Sequence, residues 1–167
     1  MLYGLEGAAY YGPARIQSEW INANVDAAAN KYNFNGWYVH ASCLLFGGKQ
    51  RFNTAEGEFT QPSRGRKWGD IELAVRYDYL NLNNKDVYGG AGENFTFGIN
   101  YWINNSVKVV LNYQYSNNDR YANGKGKLLT GHDADGKPTG DYTKIVEAKG
   151  KGGVSYHMMG LRFEINF

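Results

Sequence analysis

Apolar and polar residues alternate at period two in seven stretches of the chain, which predicts seven β-strands. In 69–80, Ile71, Leu73, Val75, Tyr77 and Tyr79 share one face, while Asp70, Glu72, Ala74, Arg76 and Asp78 share the other. Residues 94–103 set Phe95, Phe97, Ile99, Tyr101 and Ile103 against Asn94, Thr96, Gly98, Asn100 and Trp102. Residues 107–117 set Val107, Val109, Leu111, Tyr113 and Tyr115 against Lys108, Val110, Asn112, Gln114 and Ser116. The last stretch sets Met159, Leu161, Phe163, Ile165 and Phe167 against Met158, Gly160, Arg162, Glu164 and Asn166. Three earlier stretches, 2–11, 14–25 and 36–46, alternate less cleanly.

Gly12-Pro13 and Asn104-Asn105 read as tight hairpin turns. Long polar connections rich in Asn, Gly, Asp and Lys are expected at 26–35, 81–93 and 118–152, all on one side of the sheet. The connection 47–67 is also long, but strand parity assigns it to the tight-turn side. It is expected to fold inward or to supply a short extra strand. The whole chain, 1–167, reads as one β unit with no separate domain.

A soluble sandwich also alternates, and three features separate this chain from one. Its strands run to about ten to twelve residues, where globular strands usually have about five or six and a tilted membrane strand needs about 9–11. Aromatic residues cluster at both strand ends, as in membrane girdles: Tyr10, Tyr11, Trp68, Tyr101, Trp102 and Phe167 toward the tight turns, Trp37, Tyr79, Phe95, Tyr115 and Tyr156 toward the long loops. The polar faces mix small and charged residues, which suits a water-filled interior. In lipid every backbone group must be paired, so only a helix or a closed barrel can span. The fold class expected is therefore all-β, an antiparallel transmembrane β-barrel.

Composition adjusts this picture in a few places. The 22 glycines and 16% aromatics suit strands and turns better than helices. Mean hydropathy is negative, and the apolar run Cys43-Leu44-Leu45-Phe46 is far short of the ~18 residues of a transmembrane helix. A net charge of +2 leaves no electrostatic footprint for nucleic acid. The single cysteine, Cys43, excludes an internal disulfide framework, and His40, His132 and His157 are too far apart for a metal motif. Asp133-Ala134-Asp135-Gly136 with Asp141 lacks the third acidic position and distal Glu of a calcium loop. Arg64-Gly65-Arg66-Lys67 reads as a solvated turn. No Ser/His/acid spacing stands out, so no enzyme, cofactor or metal is expected. No leader pattern precedes the first strand at Leu2, and seven strands do not close in the usual even-numbered way. The chain is expected to be part of something longer.

Several motifs resemble the phosphate-selective porin O and P family. Tyr11-Gly12-Pro13 followed by Ile16-Gln17-Ser18-Glu19-Trp20 is similar to its strand, Gly-Pro turn and returning strand. Gly36-Trp37-Tyr38-Val39-His40-Ala41-Ser42 is similar to its Gly-aromatic-Tyr-Val strand, although Leu45-Phe46-Gly47-Gly48 stands where members continue into Leu-Thr-Gly-Glu. Trp68-Gly69-Asp70-Ile71-Glu72-Leu73-Ala74-Val75-Arg76-Tyr77 resembles the family's Gly-x-x-Glu-Leu-x-x-Arg-Tyr, and Gly160–Phe167 resembles its ending. The resemblance covers nearly the whole chain and implies the C-terminal part of a larger porin barrel of about 16–18 strands. It implies passive diffusion of small hydrophilic solutes or inorganic anions across the outer membrane of a Gram-negative bacterium. Outer-membrane lipid is the expected surrounding and a homotrimer the assembly considered.

The candidate pore-lining residues are Arg15, Glu19, Asp70, Glu72, Arg76, Lys108, Asn112, Arg162 and Glu164, all on polar faces. Arg15, Arg76, Lys108 and Arg162 face six acids, Glu6, Glu19, Asp70, Glu72, Asp78 and Glu164, so the residues themselves give no phosphate preference. These charges can also pair across strands and simply stiffen the wall. A small eight-stranded barrel with an adhesive role competes with the porin reading and requires 47–67 to supply the eighth strand, around 52–59. A soluble lipocalin-like binder and an outer-membrane hydrolase are weaker readings. Leu73→Arg or Leu111→Arg on the apolar face should cost about 2–4 kcal/mol at the bilayer midplane. Asn112→Arg on the polar face should be tolerated; folding into lipid vesicles across a urea series measures all three.

Overall fold

The alternating stretches pair in sequence order because each turn or loop returns the chain beside the strand it has just left. The computed structural model describes residues 1–27, 30–84, 87–119, 127–129, 132–139, 144, 146–151 and 154–165. Its strands are β1 (Leu2–Tyr11), β2 (Ala14–Asp26), β3 (Lys31–Leu44), β4 (Lys49–Asn53), β5 (Glu58–Ser63), β6 (Asp70–Asn84), β7 (Val87–Trp102), β8 (Val107–Asp119), β9 (Lys127–Leu129), β10 (Glu147–Lys151) and β11 (Val154–Ile165). No helix occurs among the described residues. Seven strands form one antiparallel sheet in the order β1-β2-β3-β6-β7-β8-β11, which stays open at β1 and β11. The β4–β5 hairpin and the β9–β10 pair each form a separate two-stranded sheet. The 47–67 connection therefore adds no eighth strand to the wall.

Burial is inverted relative to a soluble sandwich. Leu44 and Val110 are the buried apolar side chains among the described residues, whereas Asn22, Ser42, Gln50, Asp70, Glu72, Asn83 and Ser116 are buried polar ones. Leu5, Ile16, Trp20, Val75, Phe97, Leu161 and Phe163 are exposed. Soluble domains bury such residues and leave carboxylates outside. Here one apolar face looks outward across the whole sheet, which suits hydrocarbon as the neighbouring solvent.

The strands outrun the predicted ones. β3, β6 and β7 have 14, 15 and 16 residues, beyond the about 9–11 that cross a bilayer. The expected loop at 26–35 shrinks to 27–30, and most of 81–93 belongs to β6 and β7. Past Trp20, Trp37 and Tyr79 the alternation flips phase: Asn22, Asn24, Asn33, Asn35, Asn81 and Asn83 take the parity of those aromatic residues while backbone pairing continues. Asn side chains occupy this extension. The Asn33 amide donates to Asn22 Oδ1 at 2.8 Å and to Asn24 Oδ1 at 2.7 Å, and Asn83 Oδ1 accepts from the Gly90 N–H at 2.8 Å. The 118–152 connection likewise contains the end of β8 and the β9–β10 pair.

At the tight-turn end Phe46, Trp68 and Tyr101 form a contiguous aromatic group, with ring centroids 4.9 and 6.4 Å apart. The Tyr101 hydroxyl donates to the Trp68 carbonyl at 2.9 Å. Farther along the strands Trp37 meets Tyr77 at 5.2 Å and Tyr115 meets His157 at 5.0 Å. Three expected girdle residues lie elsewhere. Tyr10 and Trp102 sit on the polar face, against the β4–β5 hairpin and Glu72 respectively, and Tyr156 shares that parity, opposite Ser116. Phe167 lies outside the described residues. Asn33→Ala removes three side-chain bonds from the strand extension, because Asn33 Oδ1 also accepts from Asn22 Nδ2, and each such bond contributes about 1 kcal/mol. The variant should unfold at lower urea by a corresponding margin, with the apolar band intact by tryptophan fluorescence in lipid.

Candidate functional site

The polar face of the sheet carries one built feature, the β4–β5 hairpin folded against it. After Leu44 the chain turns back beside both tight turns. The Gln50 N–H donates to the Gly12 carbonyl at 2.8 Å, and the Arg64 guanidinium donates to the Ile103 carbonyl at 2.9 Å. Phe52 and Phe59 pair across the hairpin and pack on Tyr10, so an aromatic cluster lies on the polar face.

Two acidic residues of β6, on the same face, meet this hairpin, and both are 0% exposed. Asp70 accepts three backbone N–H groups: Phe46 on Oδ1 at 3.0 Å, and Gly48 and Gly65 on Oδ2 at 2.8 and 2.9 Å. This close approach explains two of the glycines. A Cβ on Gly48 would stand 2.5 Å from Asp70 Oδ2, and one on Gly65 would stand 1.9 Å from the Phe46 carbonyl oxygen. Glu72 Oε1 accepts from Ser42 Oγ at 2.6 Å and Gln50 Nε2 at 3.0 Å, with Arg15 Nη2 at 3.4 Å. Its Oε2 accepts from Asn100 Nδ2 at 3.2 Å and Trp102 Nε1 at 3.1 Å. Donors from three wall strands, β2, β3 and β7, and from the hairpin thus converge on one carboxylate. A buried carboxylate is tolerated only when so satisfied, because an unpaired one loses several kcal/mol of hydration.

Between hairpin and wall lies a cavity of about 630 Å3. Glu58, Phe59, Thr60 and Gln61 line it on the hairpin side; Arg15, His40, Glu72, Arg76, Lys108, Asn112, Arg162 and Glu164 are among the wall residues. Its cations are partnered. Arg76 is 2.6 Å from Asp78 and lies over the Tyr38 ring at 3.9 Å. Lys108 and Arg162 are each 3.2 Å from Glu164, and Lys108 also lies over Trp102 at 4.5 Å. Arg15 lies over Phe59 at 5.0 Å. Two cations share Glu164, which leaves that corner with surplus positive charge.

Seven of the nine sequence candidates line this cavity. Asp70 lies under the base of the hairpin, and Glu19 stands away from it, opposite Glu6 and Tyr38 in the register. Gln50, Phe59 and Trp102 belong to the site without having been expected there. Phe52 and Phe59, symmetric about the Ala55-Glu56 turn, carried the available signal, and it points equally to an eighth strand. Among the described residues no His/Cys/Asp/Glu group is placed to hold a metal ion. Asp133 Oδ1 instead caps its own turn, accepting from the Asp135 and Lys137 N–H groups; Asp141 lies outside the described residues.

A family model, phosphate-selective porin O and P, matches residues 2–136. Porin O of Pseudomonas aeruginosa is 24% identical over 138 residues, covering 75% of this chain and 32% of that protein. An uncharacterised protein of Caulobacter vibrioides is 29% identical over 116 residues, covering 66% of this chain and 23% of its own length. The chain thus spans about a third or less of the length of these curated relatives. Gly65→Ala and Gly48→Ala should each detach the hairpin base, at about 1–3 kcal/mol. Faster proteolytic cleavage within 49–63, with the wall still protected, is the expected readout.

Proposed function

We propose, from the premise that the chain belongs to the phosphate-selective porin O and P family, that it forms part of the wall of an outer-membrane diffusion pore. In this reading the apolar face of the seven-stranded sheet meets lipid, and the polar face with its hairpin borders water. The inverted burial carries it: charged and amide side chains turn inward while Leu161, Phe163, Val75 and Phe97 stand exposed. Such a sheet is unstable in water and suited to a bilayer with an aqueous passage behind it.

The open edges at β1 and β11 and the greater length of the relatives support completion of the barrel by further strands. The passage admits small hydrophilic solutes or inorganic anions. Its tight-turn end is the narrower one here, because the hairpin occupies it. Lys108, Arg162 and Glu164, with their surplus positive charge, give this stretch of wall a mild preference for anions.

Channels purified from outer membranes carrying the chain should conduct in planar bilayers. Arg162→Glu should move the reversal potential in a KCl gradient toward cations while leaving heat-modifiable mobility unchanged. Absence of conductance in the unaltered protein sinks the proposal. An unmoved reversal potential in the variant removes Arg162 from the passage.

A further inference from the structure

We infer that Asp70 and Glu72 are positioning residues that fix the aperture of the passage, an inference that rests on the porin reading above. The hairpin shares no ladder with the wall; it forms its own two-stranded sheet. Its seat is made of side-chain and turn contacts, and the two β6 carboxylates are the most heavily bonded of them. Asp70 gathers the entry and exit of the excursion, since Phe46 and Gly48 precede the hairpin and Gly65 follows it. Glu72 grips β4 through Gln50, whose amide also donates to the Pro13 carbonyl at 3.2 Å.

The same grip withdraws two negative charges from the passage. A carboxylate that is 0% exposed and ringed by donors acts weakly on an ion moving through water nearby. Of the six acids on the polar face, Glu72 is matched by Arg15 and Asp70 by backbone donors, so these two do not oppose Lys108 and Arg162. The acids set the width of the passage, and the cations they leave uncancelled set its sign.

Three variants test this in channels purified from outer membranes: Glu72→Ala, Asp70→Asn and Gln50→Ala. Asparagine keeps one acceptor oxygen but turns an NH2 toward backbone donors, so it breaks the cradle at nearly constant volume. Gln50→Ala cuts the hairpin's hold on Glu72 with no change of charge and without touching the wall. All three should shift the unit conductance upward and make the open level noisy, and should lessen ion discrimination as the passage widens. Heat-modifiable mobility should stay that of the folded barrel. If Gln50→Ala and Glu72→Ala keep the unaltered conductance, the inference fails. It fails equally if Asp70→Asn raises anion selectivity at unchanged conductance, which is the behaviour of an acid exposed to passing ions. Silence of the unaltered channel overturns the porin reading itself and takes this inference with it.

Discussion

The Glu72 carboxylate is the junction on which the polar side of this protein depends. It is tied to β2 through Arg15, to β3 through Ser42, to β7 through Asn100 and Trp102 and to the hairpin through Gln50. Each of these donors would otherwise need a partner, and so would the carboxylate. A buried acid adds little net stability by itself, but it is specific: only one arrangement of hairpin and wall satisfies all of its donors at once. Asp70 repeats the logic with backbone N–H groups, which turns the conformation of 46–65 into a condition for burying one side chain.

The rest of the sheet follows from a second constraint, that its two faces meet different media. Aromatic rings gather near the ends of the apolar band, as Phe46–Trp68–Tyr101 does beside the tight turns. Beyond the other end asparagines take over the parity of Trp20, Trp37 and Tyr79 and join neighbouring strands by side-chain bonds.

This division explains what could be read from the residues. Alternation reports a difference between two surroundings, so the membrane-height parts of β6, β7, β8 and β11 were legible, with their faces. Where the pattern flips phase and turns rich in Asn and Gly, the signal breaks, and 26–35 and 81–93 read as loops although backbone pairing runs through them. The charged candidates were legible as a face but not as partners. Asp70 and Glu72 look like any other polar-parity acids until 46–65 is known to return over them, and nothing in the period-two pattern of β6 announces that return. Tyr10 and Trp102 misled for a related reason: an aromatic residue near a strand end belongs to a girdle only if its parity points outward, and here Tyr10 packs on the hairpin while Trp102 bonds Glu72.

The wall closes over the hairpin as though it were absent, for β3 pairs directly with β6 along a continuous register from Asn35↔Asn81 to Leu44↔Glu72. The excursion between them is thus modular. Its length and residues can change, or it can be exchanged for another, without shifting a single strand of the sheet, provided that its ends still satisfy the carboxylates on β6. A lineage can therefore alter the hairpin while the surrounding sheet is inherited unchanged.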